Sequence, residues 1–411
     1  MIIKEAKGCR FVDLDDNEYI DIAMSYGPLI LGHAHEAVVK AIQETVARGA
    51  SVVVGHELEH KLGKLIIDNV ACAERCLYTN SGTESTMAAI KVARAYSGRE
   101  KIAKFEGGYH GTHPDALVSS NLGAERRGPK DRPEPVLDGP GTCRNVTETT
   151  MVLPPHNEAA FDIIRENADD LACVILEPMG PGWPVLNVEF LKELRKVTEE
   201  ANVLLIFDEV VTGFRGCFGG AQDRFGIVPD LTTFAKIVGG GLPLGVVVGK
   251  RDIMEVAVTT GNPLEDLTTK IIVVGTNAGN MVSCAAGFAQ LSYLKDNEDT
   301  IYPYLAEQGG RLAYEVGNFA RENNIPFRMM GLESAFIAHF IDTDPEDSRQ
   351  LEENSNHVAG KLLAYYMRRH GIYMSDAHTA FISTAHTPED VDVLIDAFKA
   401  SLTDMRADGW C

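Results

Sequence analysis

The sequence predicts an α/β chain, with a large domain built on a mostly parallel sheet and a smaller α+β domain. Three observations predict it. Short, wholly apolar runs such as Cys173-Val174-Ile175-Leu176 and Val203-Leu204-Leu205-Ile206-Phe207 read as strands buried on both faces, as in a parallel sheet covered by helices. The segment 188–200 has helical apolar spacing between two such runs, which completes a right-handed strand, helix, strand unit. From about residue 297 helical stretches (304–322, 354–370, 388–405) alternate with short strands (334–340, 381–383). The large domain is therefore expected over 49–296, and the small one over 1–48 and 297–411.

Taken in order, residues 11–22 alternate in polarity about Asp15-Asp16-Asn17-Glu18 and read as a hairpin. A Gly- and Pro-broken loop, Ser25-Tyr26-Gly27-Pro28 onward, carries His33 and His35, and a helix follows over 37–48. His56-Glu57-Leu58-Glu59-His60 matches the H-E-x-x-H pattern of zinc proteases. Leu62, Leu65 and Ile66 make it equally the first turn of an amphipathic helix, the reading preferred here because no third ligand stands out downstream. The strand Leu77-Tyr78-Thr79 leads to Asn80-Ser81-Gly82-Thr83-Glu84 at the start of a helix, which is either an anion seat or a plain N-cap. A strand over 101–105 precedes Gly107-Gly108-Tyr109-His110-Gly111, whose aromatics either stack on a ligand ring or simply pack. Residues 121–148 are rich in Gly, Pro, Arg and Asp and read as a long loop. Further strands are expected at 246–248 and 272–274, and an Ala-rich helix after Gly275-Thr276-Asn277-Ala278-Gly279-Asn280.

The stretch from Val203 to Gly245 concentrates the chemistry. Asp208 stands at the carboxyl end of a buried strand, where parallel sheets place their functional groups. Lys236 follows 28 residues later among Phe234, Ala235, Ile237 and Val238, surroundings that would lower a lysine pKa and free its amine as a nucleophile. A strand-end Asp can be only a cap and such a Lys only a loop charge. An aspartate and an activated lysine in one α/β site suggest pyridoxal phosphate, with the lysine as Schiff base and the aspartate keeping the pyridine nitrogen protonated.

Composition bounds the rest. A net charge of −21 argues against a nucleic-acid partner. No apolar run reaches the roughly 18 residues of a membrane span, and the start Met1-Ile2-Ile3-Lys4-Glu5 lacks the form of a signal peptide, so a cytoplasmic protein without a membrane partner is expected. The eight cysteines are scattered and read as reduced packing residues, and the Cys72 and Cys76 pair lacks a second pair at zinc-site spacing. No metal is expected.

Five segments occur together in one order: Asn80 to Glu84, Gly108 to Gly111, Asp208-Glu209-Val210-Val211-Thr212-Gly213-Phe214-Arg215, Pro229 to Lys236, and Gly239 to Pro243. In this they resemble the class III aminotransferases of pyridoxal-phosphate fold type I over almost the whole chain. Within that class the closest likeness is to the glutamate-1-semialdehyde aminomutases, through Gly213-Phe214-Arg215, Gly219-Gly220-Ala221-Gln222 and Asp230 to Lys236.

The resemblance implies pyridoxal 5'-phosphate as cofactor, Lys236 as the Schiff-base lysine and Asp208 as partner of the pyridine nitrogen. Val210 would pack on one ring face and Tyr109 on the other with His110 beside it, and Ser81, Gly82 and Thr83 would hold the phosphate. Glu177 matches a glutamate near the cofactor, and Thr276 a threonine that reaches the phosphate of the neighbouring subunit, which implies a homodimer with shared sites. Small amine and carbonyl substrates and a ping-pong aminotransferase cycle are expected, with a 1,2-aminomutase or an amino-acid epimerase of the same family as the alternatives. A non-catalytic relative would have lost Lys236. Three departures from the aminomutases favour another substrate: Met281 where a proline is usual, an expanded 121–148 loop, and the expected lack of an N-terminal arm carrying an arginine for the substrate carboxylate. Arg126, Arg127 and Arg215 are the remaining candidates for that carboxylate.

Overall fold

The computed structural model describes residues 1–120, 127–179, 187–345, 347–376 and 378–411. The chain divides into two units. The larger, Thr45–Pro178 with Asn187–Phe288, carries a seven-stranded sheet. Its strands are β1 (Arg75–Thr79), β2 (Lys101–Phe105), β3 (Thr150–Leu153), β4 (Leu171–Leu176), β5 (Leu204–Asp208), β6 (Leu231–Phe234) and β7 (Gly245–Gly249). They lie in the order β1-β7-β6-β5-β4-β2-β3. Neighbours from β6 through to β3 are parallel, whereas β7 runs antiparallel to both β6 and β1.

Both faces of this sheet are apolar, which is why its strands read as unbroken hydrophobic runs. Ile102, Cys173, Ile175, Leu204 and Ile206 pack with Ala88, Ala89 and Val92 of helix α1 (Gly82–Ser97). The intervening residues Ala103, Phe105, Val174, Leu176, Leu205 and Phe207 pack with Phe161 and Ile164 of α2 (Ala159–Glu166) and with Phe190 and Leu194 of α3 (Val188–Glu200). Local chemistry sets the helix ends. Ser81 accepts the Glu84 N–H at the start of α1, Gly98 closes it at a φ of 69°, and Asn187 accepts the Phe190 N–H at the start of α3.

Side-chain alternation along β2 and β5 turns Lys104 and Asp208 to the α1 face, with Ile102 and with Ile206. Lys104 is fully buried and donates to the carbonyls of Ala116 (3.3 Å) and Val118 (2.5 Å) and to Ser120 Oγ (2.8 Å). Burial brings its pKa down to about 7. The 116–120 segment is thus hung on a strand side chain.

The smaller unit includes Met1–Glu44 and Ala289–Cys411. One of its sheets pairs Ile3–Lys7, Arg10–Asp13, Glu18–Asp21 and Ile372–Tyr373 in that order, and another pairs Arg328–Leu332, Ala335–His339 and Ala380–Phe381. Helices Glu298–Glu322, His357–Arg369 and Pro388–Ala407 accompany them, an α+β composition.

One sequence expectation needs revision. Ile272-Val273-Val274 is not a strand: Ile272 and Val274 are exposed, the Ile272 carbonyl takes the Lys91 ammonium, and the backbone around it has no ladder partner among the described residues. Of the 121–148 loop, residues 121–126 lie outside the described residues, and the remainder is irregular up to a short helix at Val146–Thr149. His56 is a helix cap, its Nδ1 accepting the Glu59 N–H while Nε2 donates to the Gly279 carbonyl, so both ring nitrogens are engaged. Among the described residues, no helix is long and apolar enough to cross a membrane.

Asp230 fastens α3 and β7 to the centre of the sheet. Its carboxylate receives Arg195 Nη1 (2.8 Å), the Leu205 N–H (2.8 Å) and Lys250 Nζ (2.6 Å). Burial alone would raise its pKa, but Arg195, Lys250 and the Leu205 N–H outweigh it and hold the carboxyl below the usual range. We expect Asp230→Asn to cost roughly 2–3 kcal/mol in urea unfolding, less than for a fully buried pair because Lys250 is partly exposed. A carboxyl whose pKa falls on folding contributes stability that is present above its unfolded value of about 3.9 and lost as pH falls through the folded one. The wild-type advantage over the variant should therefore disappear in acid.

Candidate active site

The parallel register gathers the candidate residues at the carboxyl ends of the central strands. Asp208 on β5 stands opposite Thr233 on β6, and Leu176 on β4 opposite Phe207, which brings Glu177 to the neighbouring strand end. Lys236 follows β6 by two residues.

Asp208 is 5% exposed and held from three sides. Its Oδ1 accepts the Val210 N–H (3.1 Å) and the Thr233 hydroxyl (3.2 Å), while Oδ2 lies 2.7 Å from His110 Nδ1. Lys236 adopts a φ of 50°, a left-handed conformation that costs a non-glycine residue about 1 kcal/mol or more and concentrates at working sites. Burial lowers its pKa; the Asp208 and Glu177 charges pull it back up, and Arg215 adds to the lowering. In Glu177 the order is reversed. Burial and then the Asp208 charge push its pKa up to about 8 against the pull of Lys236, and its buried Oε1 has no hydrogen-bond partner among the described residues.

The start of α1 closes the other side. A Cβ at position 82 would come within 2.8 Å of Val210 Cγ1 and 3.5 Å of the Ala235 Cβ, so only glycine lets the first helical turn approach this strand end. Ser81 Oγ accepts the Glu84 N–H and keeps its own proton free to donate, and Thr83 Oγ1 accepts the Thr112 N–H (3.2 Å). The first N–H groups of the helix have no partners within it and carry the positive end of its dipole. Such an end accepts an anion.

The structure thus brings His110, Asp208, Val210, Lys236, Glu177 and Gly82 together, with Ser81 and Thr83 flanking Gly82. Tyr109, although next to the buried His110, is 59% exposed. Thr276 is exposed too, one residue beyond Gly275, where a Cβ would come within 2.7 Å of Asn80 Nδ2. Arg215 is buried and acts electrostatically on Lys236, Arg127 is buried, and Arg126 lies outside the described residues. Thr233, Thr86 and His113 were missed in the sequence. Only strand pairing reveals Thr233, and Thr86 and His113 read as ordinary helix and loop residues.

Comparison with known proteins extends this geometry. A family model, aminotransferase class-III, matches residues 1–387. Glutamate-1-semialdehyde 2,1-aminomutase of Persephonella marina is 38% identical over 411 residues, covering 98% of this chain and 92% of that protein. The enzyme of the same name from Methanocaldococcus jannaschii is 38% identical over 404 residues, covering 97% and 90%. Among solved structures, an omega-transaminase from Sphaerobacter thermophilus superposes with a TM-score of 0.90 at 32% identity, covering 98% of this chain and 91% of that one. A glutamate-1-semialdehyde-aminomutase from Pseudomonas aeruginosa in complex with PMP shares the fold, with a TM-score of 0.86 at 23% identity and coverage of 98% and 88%. With a family match through residue 387 and relatives of 38% identity along nearly its full length, the chain belongs to the class III aminotransferase family.

Proposed function

We propose that this chain is a pyridoxal 5'-phosphate enzyme that moves an amino group between neighbouring carbons of a single substrate, the reaction that the name 2,1-aminomutase gives its curated relatives. The observation that carries the cofactor reading is the convergence at one strand edge of a desolvated amine (Lys236), a three-donor carboxylate (Asp208) and a helix N-terminus (Ser81 to Thr83). These groups fit the cofactor's aldehyde, its ring nitrogen and its phosphate. The orphaned Glu177 Oε1 gives a further polar contact that a bound group would satisfy.

Bound, the cofactor supplies an electron sink for a substrate carbon that loses its proton. Lys236 would hold it covalently through Nζ, and the same amine would take and return the substrate's proton as a general base and acid. Asp208 would keep a positive charge on the ring nitrogen. Val210, packed against the Gly82 turn, would lie on one face of the ring and Tyr109 on the other, while His110 hydrogen-bonds Asp208. Glu177, protonated at neutral pH, can donate a hydrogen bond where a carboxylate could only accept one.

The second reading, transfer from a separate amine to a separate carbonyl, which the sequence analysis put first, is favoured by the likeness to the omega-transaminase. The full-length relatives tip the balance the other way. A homodimer that shares its sites is part of the proposal. Exposed apolar residues of the larger unit, among them Val53, Val54, Leu264, Leu267, Ile272 and Val274, support an assembly that covers them, and Thr276 lies beside the last of these. All eight cysteines are free, which accords with a reducing cytoplasmic setting.

Three tests follow. Purified with cofactor, the wild type should sediment as a dimer, and borohydride reduction should fix the cofactor's mass on the peptide containing Lys236; no such adduct should form in Lys236→Ala. Mixed with a single 1,2-amino-carbonyl compound such as glutamate-1-semialdehyde, it should isomerise that compound with no second substrate; discharge of its absorbance by free amino donors, with turnover only when a separate carbonyl is added, would decide for the two-substrate reading. Glu177→Gln should remove a pH dependence of the cofactor-free protein. A carboxyl whose pKa rises on folding loses stability as pH climbs from its unfolded value of about 4.3 towards about 8. The variant should therefore gain in Tm relative to wild type across that interval and match it below.

A further inference from the structure

We propose that Arg368, with the hydroxyls of Tyr373 and Tyr26, forms a binding site for a small carboxylate, built entirely from residues of the smaller unit. The site does not depend on the cofactor reading given above.

The chain carries 59 acidic residues against 38 lysines and arginines, so an arginine here has carboxylates in excess to pair with. Arg10, Arg94 and Arg195 each meet one. Arg368 meets none. Among the described residues its guanidinium makes neither an ion pair nor a hydrogen bond, and its Nε is buried without an acceptor. Two rings hold it instead. Tyr365, three residues earlier on the same face of the helix His357–Arg369, has its centroid 5.4 Å from the guanidinium carbon, and Tyr373 has its own at 5.6 Å. Rings attract the cation through their faces without using up its N–H donors, which stay available to a carboxylate by two parallel bonds.

Two phenols accompany the guanidinium. Tyr373 is placed by the short strand Ile372–Tyr373, which pairs in parallel with Ile20 and Asp21, and by the ring of Phe11 at 5.1 Å. Burial and then the neighbouring Tyr26 phenol raise its pKa against the pull of Arg368, so the hydroxyl keeps its proton, for which there is no acceptor among the described residues. Tyr26 accepts the Ser375 hydroxyl at 3.2 Å, which leaves its own proton to give, and its ring lies 4.6 Å from that of His378.

The backbone presenting Tyr26 is strained. Met24, Ser25 and Tyr26 follow one another at φ of 44°, 57° and 65°, all left-handed and none a glycine. Strain of this kind persists only where its surroundings over-determine it, and it clusters at ligand sites. Asp21 holds it in place: Oδ1 accepts the N–H groups of Ala23 (2.8 Å) and Met24 (3.1 Å), and Oδ2 lies 2.8 Å from His33 Nε2. Asp376 is exposed and, like Asp21, raises the Tyr373 pKa. Two acidic groups beside the donors disfavour a doubly charged ligand, so the geometry suits a monocarboxylate better than a phosphate.

The holoprotein is titrated with butyrate, with its neutral amide and with inorganic phosphate, and binding is read by calorimetry. Butyrate should bind, and the amide and phosphate should bind ~10-fold more weakly or worse. Arg368→Gln should weaken butyrate ~10-fold or more, Arg368→Lys, which keeps the charge and loses the fork, about threefold to tenfold, and Tyr26→Phe, which lacks only the hydroxyl, about threefold. Arg368 is partly exposed, and its replacement leaves Leu363, Ala364 and Met367 to pack the helix; if Arg368→Gln does not fold, the other two variants carry the comparison. No butyrate binding in the wild type, wild-type affinity in Arg368→Gln, or phosphate bound as tightly as butyrate would overturn the proposal.

Kinetics with glutamate-1-semialdehyde separate the two sources of the carboxylate. A KM raised ~10-fold in Arg368→Gln with kcat within about twofold of wild type assigns it to the substrate. An unchanged KM beside lost butyrate binding assigns it to a separate carboxylate effector. Either result supports the site. A protein that isomerises nothing sinks the functional reading, and the butyrate titration still decides the site.

Discussion

The structure depends on burying one carboxylate, Asp208, at the carboxyl end of a strand flanked on both sides by parallel neighbours. An ionised group in such a place survives only if donors surround it. Each of its donors comes from a different part of the chain: the Val210 N–H from the turn after β5, the Thr233 hydroxyl from β6, and the His110 imidazole from the turn after β2. The carboxylate therefore fixes the relative placement of three segments.

Around that fixed charge the neighbouring groups divide by sign. Lys236 loses basicity to burial, whereas Glu177 and Glu209 lose acidity, with Glu177 pushed up to about 8 and Glu209 to about 7. For Glu209 burial is again the larger cause, opposed by the Ala221 N–H and the Gln222 amide that bind its carboxyl. It sits next to Asp208 in sequence yet points the other way, tying the strand end to Gly220–Phe225. One strand terminus thus presents one carboxyl to the site and spends the next on its own support, so the site residue stays rigid. The raised pKa of Glu177 and the lowered pKa of Lys236 share a cause, burial, and each favours the uncharged form, which reduces the number of separate charges that the fold must bury.

The family assignment and the choice of reaction rest on different evidence. Membership follows from a match along the chain and from the arrangement of the sheet. Whether the amino group stays on one substrate or passes to another depends on how the first product is retained, which the common Lys236 and Asp208 chemistry does not distinguish. The omega-transaminase and the aminomutase structure both share this fold, so the backbone alone does not separate the two reactions.

Much of the fold was legible in the sequence because its signals are local. The apolar runs of β4 and β5, the spacing of α3, which falls at 188–200 as expected, and the small-residue turn before α1 all report burial or capping within a few residues. Asp208 and Lys236 stood out for the same reason, each being a polar group set against an apolar run. Where a partner lay far along the chain, composition misled: Ile272 to Val274 has strand-like residues but no ladder, and Lys104 looks solvent-directed but is buried under three acceptors from 116–120. The sequence by itself determined which residues were able to do chemistry and which runs had to be buried. Only the tertiary structure decided that His110 and Asp208, 98 positions apart, share a hydrogen bond, and that Thr233 completes the set. Strand order and register are set by pairing between distant segments, and no local pattern encodes which segment will stand opposite.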